Sequence, residues 1–186
     1  MDTYVLVHGA WHNGNLLKDV AEAIELDGHK VHLPTLKGNQ DGDSKNVGLD
    51  DAIDSLISYI NTNNIEDCIL VGHSYAGMVI TGAFDRLGKK FIKRLVYWNA
   101  FVPNPGESLN DMTPPEYISL FDQIVQKDGS VSLPFPIWRE AFINDGDLEL
   151  AQSTYKKLNP HPYKTFTDQI QLSQTPAEMQ IGKSYI

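Results

Sequence analysis

The chain contains few of the residues that characterise several large classes of protein. Its 186 residues include one cysteine, Cys68, so no disulfide framework or Cys/His metal site can form, and we expect this thiol in the core. Acidic residues outnumber basic ones by 24 to 15, and the charge of −9 argues against nucleic acid or an anionic membrane as a partner. No apolar run approaches the ~20 residues of a membrane-spanning helix, and the first residues lack a signal-peptide pattern. These absences predict a soluble, cytoplasmic protein without a bound metal.

The composition is typical of one soluble domain with a core of its own. Hydrophobic residues make up 41% of the chain and charged residues 21%. Apolar runs at residues 3–7, 29–35, 68–72 and 93–101 alternate with helical patterns, the first of them capped by Asn15. This alternation predicts an α/β fold, with a doubly wound, mostly parallel sheet and helices on both faces.

The character of the sequence changes after Pro103. Six of the ten prolines lie between residues 103 and 136, and aromatic residues are dense from there onward. We predict an α/β core over residues 1–103, an inserted helical cap over 104–180, and the start of the next core strand at 181–186. The aromatic residues of the cap form its own small core, cover a pocket, or do both.

The stretch ILVGHSYAGMVI places a serine between a predicted strand and a predicted helix. The motif GHSYA matches the nucleophile-elbow pattern G-x-S-x-G, with Ala76 in place of the last glycine. In that pattern the serine lies at a strained turn, and only small residues fit two positions before and after it. The following helix directs N–H groups and its positive dipole end at the serine. We therefore favour Ser74 as a nucleophile over a simple strand-to-helix turn.

The loop after the first strand can complete the machinery for acyl transfer, which requires donors for a developing oxyanion. One donor is the backbone N–H of the residue after the nucleophile, here Tyr75. The loop VHGAWHNG offers the N–H of Ala10 as the second. Taken alone, this loop is equally consistent with a glycine turn. It supports an oxyanion hole only in combination with the nucleophile elbow.

Four segments resemble the α/β-hydrolase superfamily in their order and spacing: YVLVHGAWH, GHKVHLPTLKG, LVGHSYAGMVI and RLVYWNAFVP. The resemblance covers essentially the whole chain and is closest to the branch of plant esterases, hydroxynitrile lyases and small bacterial esterases. It implies a cofactor-free mechanism with a triad of Ser, Asp/Glu and His in that chain order. It also implies Ser74 as the nucleophile and the amides of Ala10 and Tyr75 as the oxyanion hole.

The acid and histidine of that triad have no evident place in this sequence. In the family the acid follows the strand after the cap, which here begins near Lys183, three residues before the last. A substitute acid at the end of the fourth strand would be Asn99, whose neutral amide cannot stabilise an imidazolium as a carboxylate does. We therefore expect a fragment of a longer protein, rather than a complete inactive chain or one completed by a partner. The fourth strand would then be an unpaired apolar edge that favours a homo-oligomer.

The sequence predicts a serine hydrolase that acts, through an acyl-enzyme, on a carboxylic ester of a small, partly apolar substrate. Four residues are candidates for lining the pocket: Trp11, His12, Trp98 and Trp138. One alternative is a hydroxynitrile lyase-like C–C lyase, which by the same resemblance usually needs a pocket lysine that we cannot assign. Another is a non-catalytic binding module, supported by the missing histidine. No G-x-G-x-x-G follows the first strand, which argues against a dinucleotide-binding fold.

Overall fold

Five parallel strands form the centre of the computed structural model, which describes residues 1–186. They lie in the order β2-β1-β3-β4-β7, with the bounds β1 Thr3–Val7, β2 Lys30–His32, β3 Cys68–His73, β4 Ile92–Trp98 and β7 Gly182–Tyr185. A separate two-stranded antiparallel sheet pairs β5 (Ser130–Val131) with β6 (His161–Pro162). The helices are α1 Lys18–Leu26, α2 Leu49–Thr62, α3 Ala76–Leu87, α4 Pro115–Ile124, α5 Phe135–Ile137, α6 Leu148–Tyr155 and α7 Lys164–Thr167. The predicted α/β class with a parallel sheet is confirmed.

Helices cover both faces of the sheet because alternate side chains of each strand point to opposite sides. Val5 and Val7 of β1 join a large buried cluster that includes α2 and α3. Leu6 and Val71 instead pack with Ala21 of α1 on the other face. Burial on both faces explains why these strands are apolar along their whole length. None of the helices is both long enough and apolar enough to cross a membrane.

The strand order reverses at β1. The chain runs from β1 through α1 to β2 on one side, and then through α2 to β3 on the other side of β1. The loops that follow β1 and β3 therefore meet at the carboxyl end of the sheet, which is where open α/β sheets bind ligands. These loops carry Ala10 and Ser74.

Residues 104–180, called the cap here, pack directly on the core. Val131, Trp138 and Phe166 belong to the same cluster of 33 buried residues as the strands and helices of the core. The cap helix α6 follows its N-cap residue Asp147, whose side chain accepts a hydrogen bond from the amide of Leu150. The short α5 continues as a single π-helical segment, Trp138–Phe142. The domain boundaries stay a prediction.

Three local predictions are wrong. Asn15 lies inside a short 3-10 helix, Gly14–Leu17, so α1 begins at Lys18 without a side-chain cap. β2 ends at His32, because Pro34 has no N–H with which to continue the ladder. β4 is not an unpaired edge, since its backbone pairs in parallel with β7. β7 is the edge strand instead.

Candidate active site

Ser74 lies on a strained turn between β3 and α3. Its φ angle is +55°, a left-handed conformation that is uncommon for residues other than glycine. A Cβ on Gly72 would lie 2.9 Å from the carbonyl oxygen of Ala76, so the turn is as tight as the motif requires. Strain of this kind costs about 1–3 kcal/mol and is typical of functional sites. The turn therefore has the local geometry of a nucleophile elbow.

The loop after β1 packs directly against Ser74. A Cβ on Gly9 would lie 3.3 Å from the Cβ of Ser74 and 2.9 Å from Nδ1 of His73. Gly9 is thus required for the close approach of the two loops. The approach places the next residue, Ala10, beside the serine, and Ala10 and Ser74 line the same cavity.

Two backbone N–H groups at this junction have no acceptor. Ala10 and Tyr75 are almost fully buried, at 3% and 1% exposure. Neither amide donates a hydrogen bond to any group of the chain. Buried backbone amides are seldom left unpaired in folded proteins. Both are therefore free to bind an oxygen atom of a ligand, and the α3 N-terminus adds positive potential at the same place.

A cavity of about 290 Å³ opens beside Ser74. Ten of its 14 lining residues are hydrophobic, and most of these come from the cap. Its apolar wall includes Trp11, Phe101, Leu109, Tyr117, Phe121 and Phe166. Besides Ser74, the polar side chains in the lining are Asn99 and Thr113, and no charged side chain takes part. The cavity suits a small, uncharged group with an apolar or aromatic body.

The structure brings together some of the predicted pocket residues and separates others. Trp11 lines the cavity, whereas His12, Trp98 and Trp138 do not. The His12 ring lies 5.9 Å from that of Trp138, whose indole N–H donates to the carbonyl of Ala151 inside the cap. Trp98 follows the alternation of β4 onto the α1 face of the sheet. Side-chain direction in strands and cap packing decided these positions.

Most of the cavity wall was not identified from the sequence. Leu109, Tyr117 and Phe121 come from the start of the cap and from α4, while Asn99 extends the end of β4 with a φ of +41°. The high density of aromatic residues in the cap indicated that some of them cover a pocket. It did not show which of them face the serine, because that depends on how the cap docks on the core.

No histidine of the chain forms a hydrogen bond with Ser74. His8 is fully buried, its Nδ1–H donates to the carbonyl of Gly9, and its Nε2 accepts from the amide of Leu36. Burial lowers the pKa of His8 to about 4. His12 Nδ1–H donates to the carbonyl of Ala10 at 2.7 Å, and burial lowers its pKa as well. These rings hold the loop after β1 and do not reach the serine hydroxyl.

His73 also lies near the site without contacting the hydroxyl of Ser74. Its ring packs 4.9 Å from that of Trp98, and burial, with a smaller contribution from the charge of His12, lowers its pKa to about 4. Burial raises the pKa of the Cys68 thiol to about 12, consistent with an unreactive core residue. No group of three or more His, Cys, Asp or Glu side chains is arranged to hold a metal ion.

Comparisons with known proteins agree with this fold. A family model described as "Alpha/beta hydrolase family" matches residues 4–179. The chain is 45% identical over 117 residues to a carbendazim hydrolyzing esterase from Nocardioides sp. (strain SG-4G), which covers 61% of this chain and 48% of that protein. It is 26% identical over 208 residues to Methylesterase 18 of Arabidopsis thaliana, covering 98% of this chain and 77% of the relative. The match thus spans about half the length of the carbendazim esterase.

Solved structures show the same architecture. An extracellular alpha/beta-hydrolase from a Paenibacillus species, described as homologous in structure and function to Tobacco Salicylic Acid Binding Protein 2, superposes with a TM-score of 0.94. It is 32% identical and is matched over 100% of this chain and 76% of its own length. That relative is described as extracellular, so the cytoplasmic location expected from the sequence stays a prediction.

Proposed function

Because this chain belongs to the alpha/beta hydrolase family, we propose that it hydrolyses carboxylic esters through an acyl-enzyme on Ser74. The observation that carries the proposal is the pair of unpaired amides, Ala10 and Tyr75, beside a strained serine at the mouth of an apolar cavity. Relatives named as esterases support the same reaction class.

In this mechanism the Ser74 hydroxyl oxygen attacks the ester carbonyl and loses its proton to a base. The carbonyl oxygen becomes an oxyanion that accepts hydrogen bonds from the N–H groups of Ala10 and Tyr75. Collapse of the tetrahedral intermediate expels the alcohol, which takes up a proton, and leaves the acyl group on Ser74. Water then repeats the sequence and releases the acid. Donors of this kind account for about 10²–10³ in rate each.

The base is the part of the mechanism that these residues do not supply. Every histidine is directed elsewhere or lies without contact to Ser74. We assign the base, and the acid that orients it, to groups outside residues 1–186. The chain described here provides the nucleophile, the oxyanion donors and the substrate pocket.

The cavity also indicates the kind of ester. Its volume of about 290 Å³ is at the small end of ligand sites, and its walls are aromatic and uncharged. We assign it a small, neutral substrate with an apolar or aromatic part. No lysine lines the cavity, so no observation favours the hydroxynitrile lyase alternative.

The experiment that tests the proposal is covalent labelling of Ser74 with an uncharged fluorophosphonate, in a form of the protein that includes the base, read out by intact mass and peptide mapping. Wild type is expected to gain one adduct on Ser74, and Ser74→Ala none. Equal labelling of both variants would exclude Ser74 as the nucleophile. A small panel of aromatic and aliphatic esters then defines the substrate range.

A non-catalytic binding module remains the second candidate, and the lack of a histidine in contact with Ser74 favours it. It predicts that small aromatic ligands bind in the cavity and quench Trp11 fluorescence without labelling or turnover. The edge strand β7 also makes self-association part of the proposal, because a free edge can pair with a second copy.

A further inference from the structure

The residue that follows the oxyanion donor Ala10 has an unusual backbone. Trp11 has a φ of +64°, a region of the backbone that bulky side chains rarely adopt. Such a conformation persists only where the surroundings enforce it. The residues that hold Trp11 in this conformation also fix the direction of the neighbouring Ala10 amide.

The cap holds Trp11 through three hydrogen bonds. Its backbone N–H donates to Nδ1 of His161 at 3.4 Å, a long contact. Its carbonyl accepts from the amide of Asn159 at 2.7 Å. Its indole N–H donates to the carbonyl of Val131 at 3.0 Å. Every polar group of Trp11 is thus bound by the cap.

His161 is satisfied on both ring nitrogens in only one protonation state. Nδ1 faces two donors, the Trp11 amide and the side-chain amide of Asn39 at 3.1 Å, and so must be the acceptor. Nε2 then carries the proton and donates to the hydroxyl of Thr165 at 2.9 Å, which donates in turn to the carbonyl of Pro162. His161 is 0% exposed, and burial holds its pKa well below the ordinary value, with smaller contributions from His8, Lys45 and His12.

The same imidazole contacts the second oxyanion residue. Its ring meets the edge of the Tyr75 ring at 4.8 Å and stacks on Phe166 at 4.9 Å. Asn39, which is also buried, adds a hydrogen bond from its side-chain amide to the carbonyl of His12 at 3.2 Å. One neutral histidine of the cap therefore lies between the loop that carries Ala10 and the turn that carries Tyr75.

We propose that His161 is a positioning residue, which couples the docked cap to the oxyanion hole by fixing the left-handed backbone of Trp11 and the side chain of Tyr75. The inference rests on the proposed function for its catalytic meaning. It goes further by making the cap a determinant of oxyanion geometry as well as of pocket shape. His161 itself touches neither Ser74 nor the cavity.

A matched pair of variants distinguishes the hydrogen bond at Nδ1 of His161 from the one at Nε2. His161→Asn retains an acceptor where Nδ1 meets the Trp11 amide, and His161→Gln retains a donor where Nε2 meets Thr165. The rate constant for phosphonylation of Ser74 by an uncharged p-nitrophenyl phosphonate, measured in a form of the protein that includes the base, is expected to fall about 10–100-fold in His161→Gln and only a few-fold in His161→Asn. The affinity of the cavity for a neutral aromatic ligand should change less than threefold in both.

Tyr155→Phe is the control for loss of a cap hydrogen bond unrelated to Trp11, since the Tyr155 hydroxyl donates to the carbonyl of Leu133. It should label at the wild-type rate. The proposal is overturned if His161→Gln and His161→Asn label equally, or if labelling falls only in proportion to stability and ligand affinity in all three variants.

A second readout does not depend on reactivity. In ¹⁵N-labelled protein, His161→Gln should shift the amide resonances of Ala10, Trp11 and Tyr75 and increase hydrogen exchange at Trp11 at least tenfold, whereas Tyr155→Phe should not. If His161→Gln shows these changes but wild type is not labelled at Ser74, the proposed function fails and the positioning role stands. Unchanged amides in His161→Gln exclude the positioning role.

Discussion

The carbonyl oxygen of Phe101 occupies the place where a side chain on Gly77 would begin. The amides of Phe101 and Gly77 both donate to the carbonyl of Ser74, at 3.2 and 3.0 Å. The segment after β4 is thus seated on the first turn of α3. The motif tolerates Ala76 where its pattern has glycine, and the glycine required for close packing is the next residue.

Gly77→Ala is therefore expected to destabilise the protein much more than Ala76→Gly. The new methyl group would overlap backbone atoms, which cannot move as a flexible side chain can, and overpacking typically costs about 1–3 kcal/mol. Ala76→Gly should cost less than about 1 kcal/mol through chain entropy alone. Urea unfolding followed by circular dichroism measures both. Similar midpoints for the two variants would contradict the packing argument.

Replacing Ser74 by glycine is expected to stabilise the protein while removing the proposed nucleophile. The φ of +55° strains any residue with a Cβ, and glycine relieves that strain, by up to about 1 kcal/mol after its entropic cost. Ser74→Ala loses the hydroxyl and keeps the strain, so it serves as the control. Thermal unfolding should rank Ser74→Gly above wild type. A glycine variant less stable than the alanine variant would show that the turn is unstrained.

Stability is expected to fall as the pH drops from 6.5 toward 4. His8 has a folded pKa of about 4 because of burial, against 6.5 when unfolded, so the unfolded state binds more protons in this window. The contribution is complete above pH 6.5 and is lost progressively below it, and the loss amounts to about 3 kcal/mol at pH 4. The midpoints of urea unfolding between pH 7.5 and 4.5 measure the slope of stability against pH. His8→Gln, which keeps an acceptor for the Leu36 amide, should flatten it, and an unchanged slope would assign the effect to other groups.

Truncating an aromatic side chain to alanine should mainly reduce ligand affinity at the rim of the cavity and mainly reduce stability in its interior. Phe142 lines the cavity but is 46% exposed, so Phe142→Ala should weaken binding of a neutral aromatic ligand several-fold with a stability loss below about 1 kcal/mol. Phe166 is 2% exposed, and Phe166→Ala should cost about 3–5 kcal/mol. Fluorescence titration and urea unfolding provide the two measurements. A large stability loss in Phe142→Ala would contradict its placement at the rim.

Self-association through β7 is expected when residues 1–186 are studied by themselves at high protein concentration. Ile186 directs its N–H and carbonyl to β4, so the N–H of Tyr185 points away from the sheet. Light scattering should detect a concentration-dependent dimer that Tyr185→Pro abolishes and Tyr185→Phe retains, because only proline removes the outward donor. A wild-type monomer at high concentration would exclude the edge as an interface.

The sequence by itself determined the parallel sheet and the strained turn that carries Ser74. The periodicity of β1, β3 and β4 and the motif around Ser74 are local patterns, and the elements they predict require only a few neighbouring residues. The loop with Ala10 was predictable for the same reason. Residues 182–185 were also recognisable as a strand before any partner strand was known.

Only the tertiary structure decided which side chains face the serine. Trp98 was predicted in the pocket and lies on the α1 face, while Tyr117 and Phe121 reach the cavity from α4. The contact between His161 and the amide of Trp11 joins residues 150 positions apart. No local pattern encodes such a contact, because it depends on the docking of the cap on the sheet, to which many weak packing contacts contribute together.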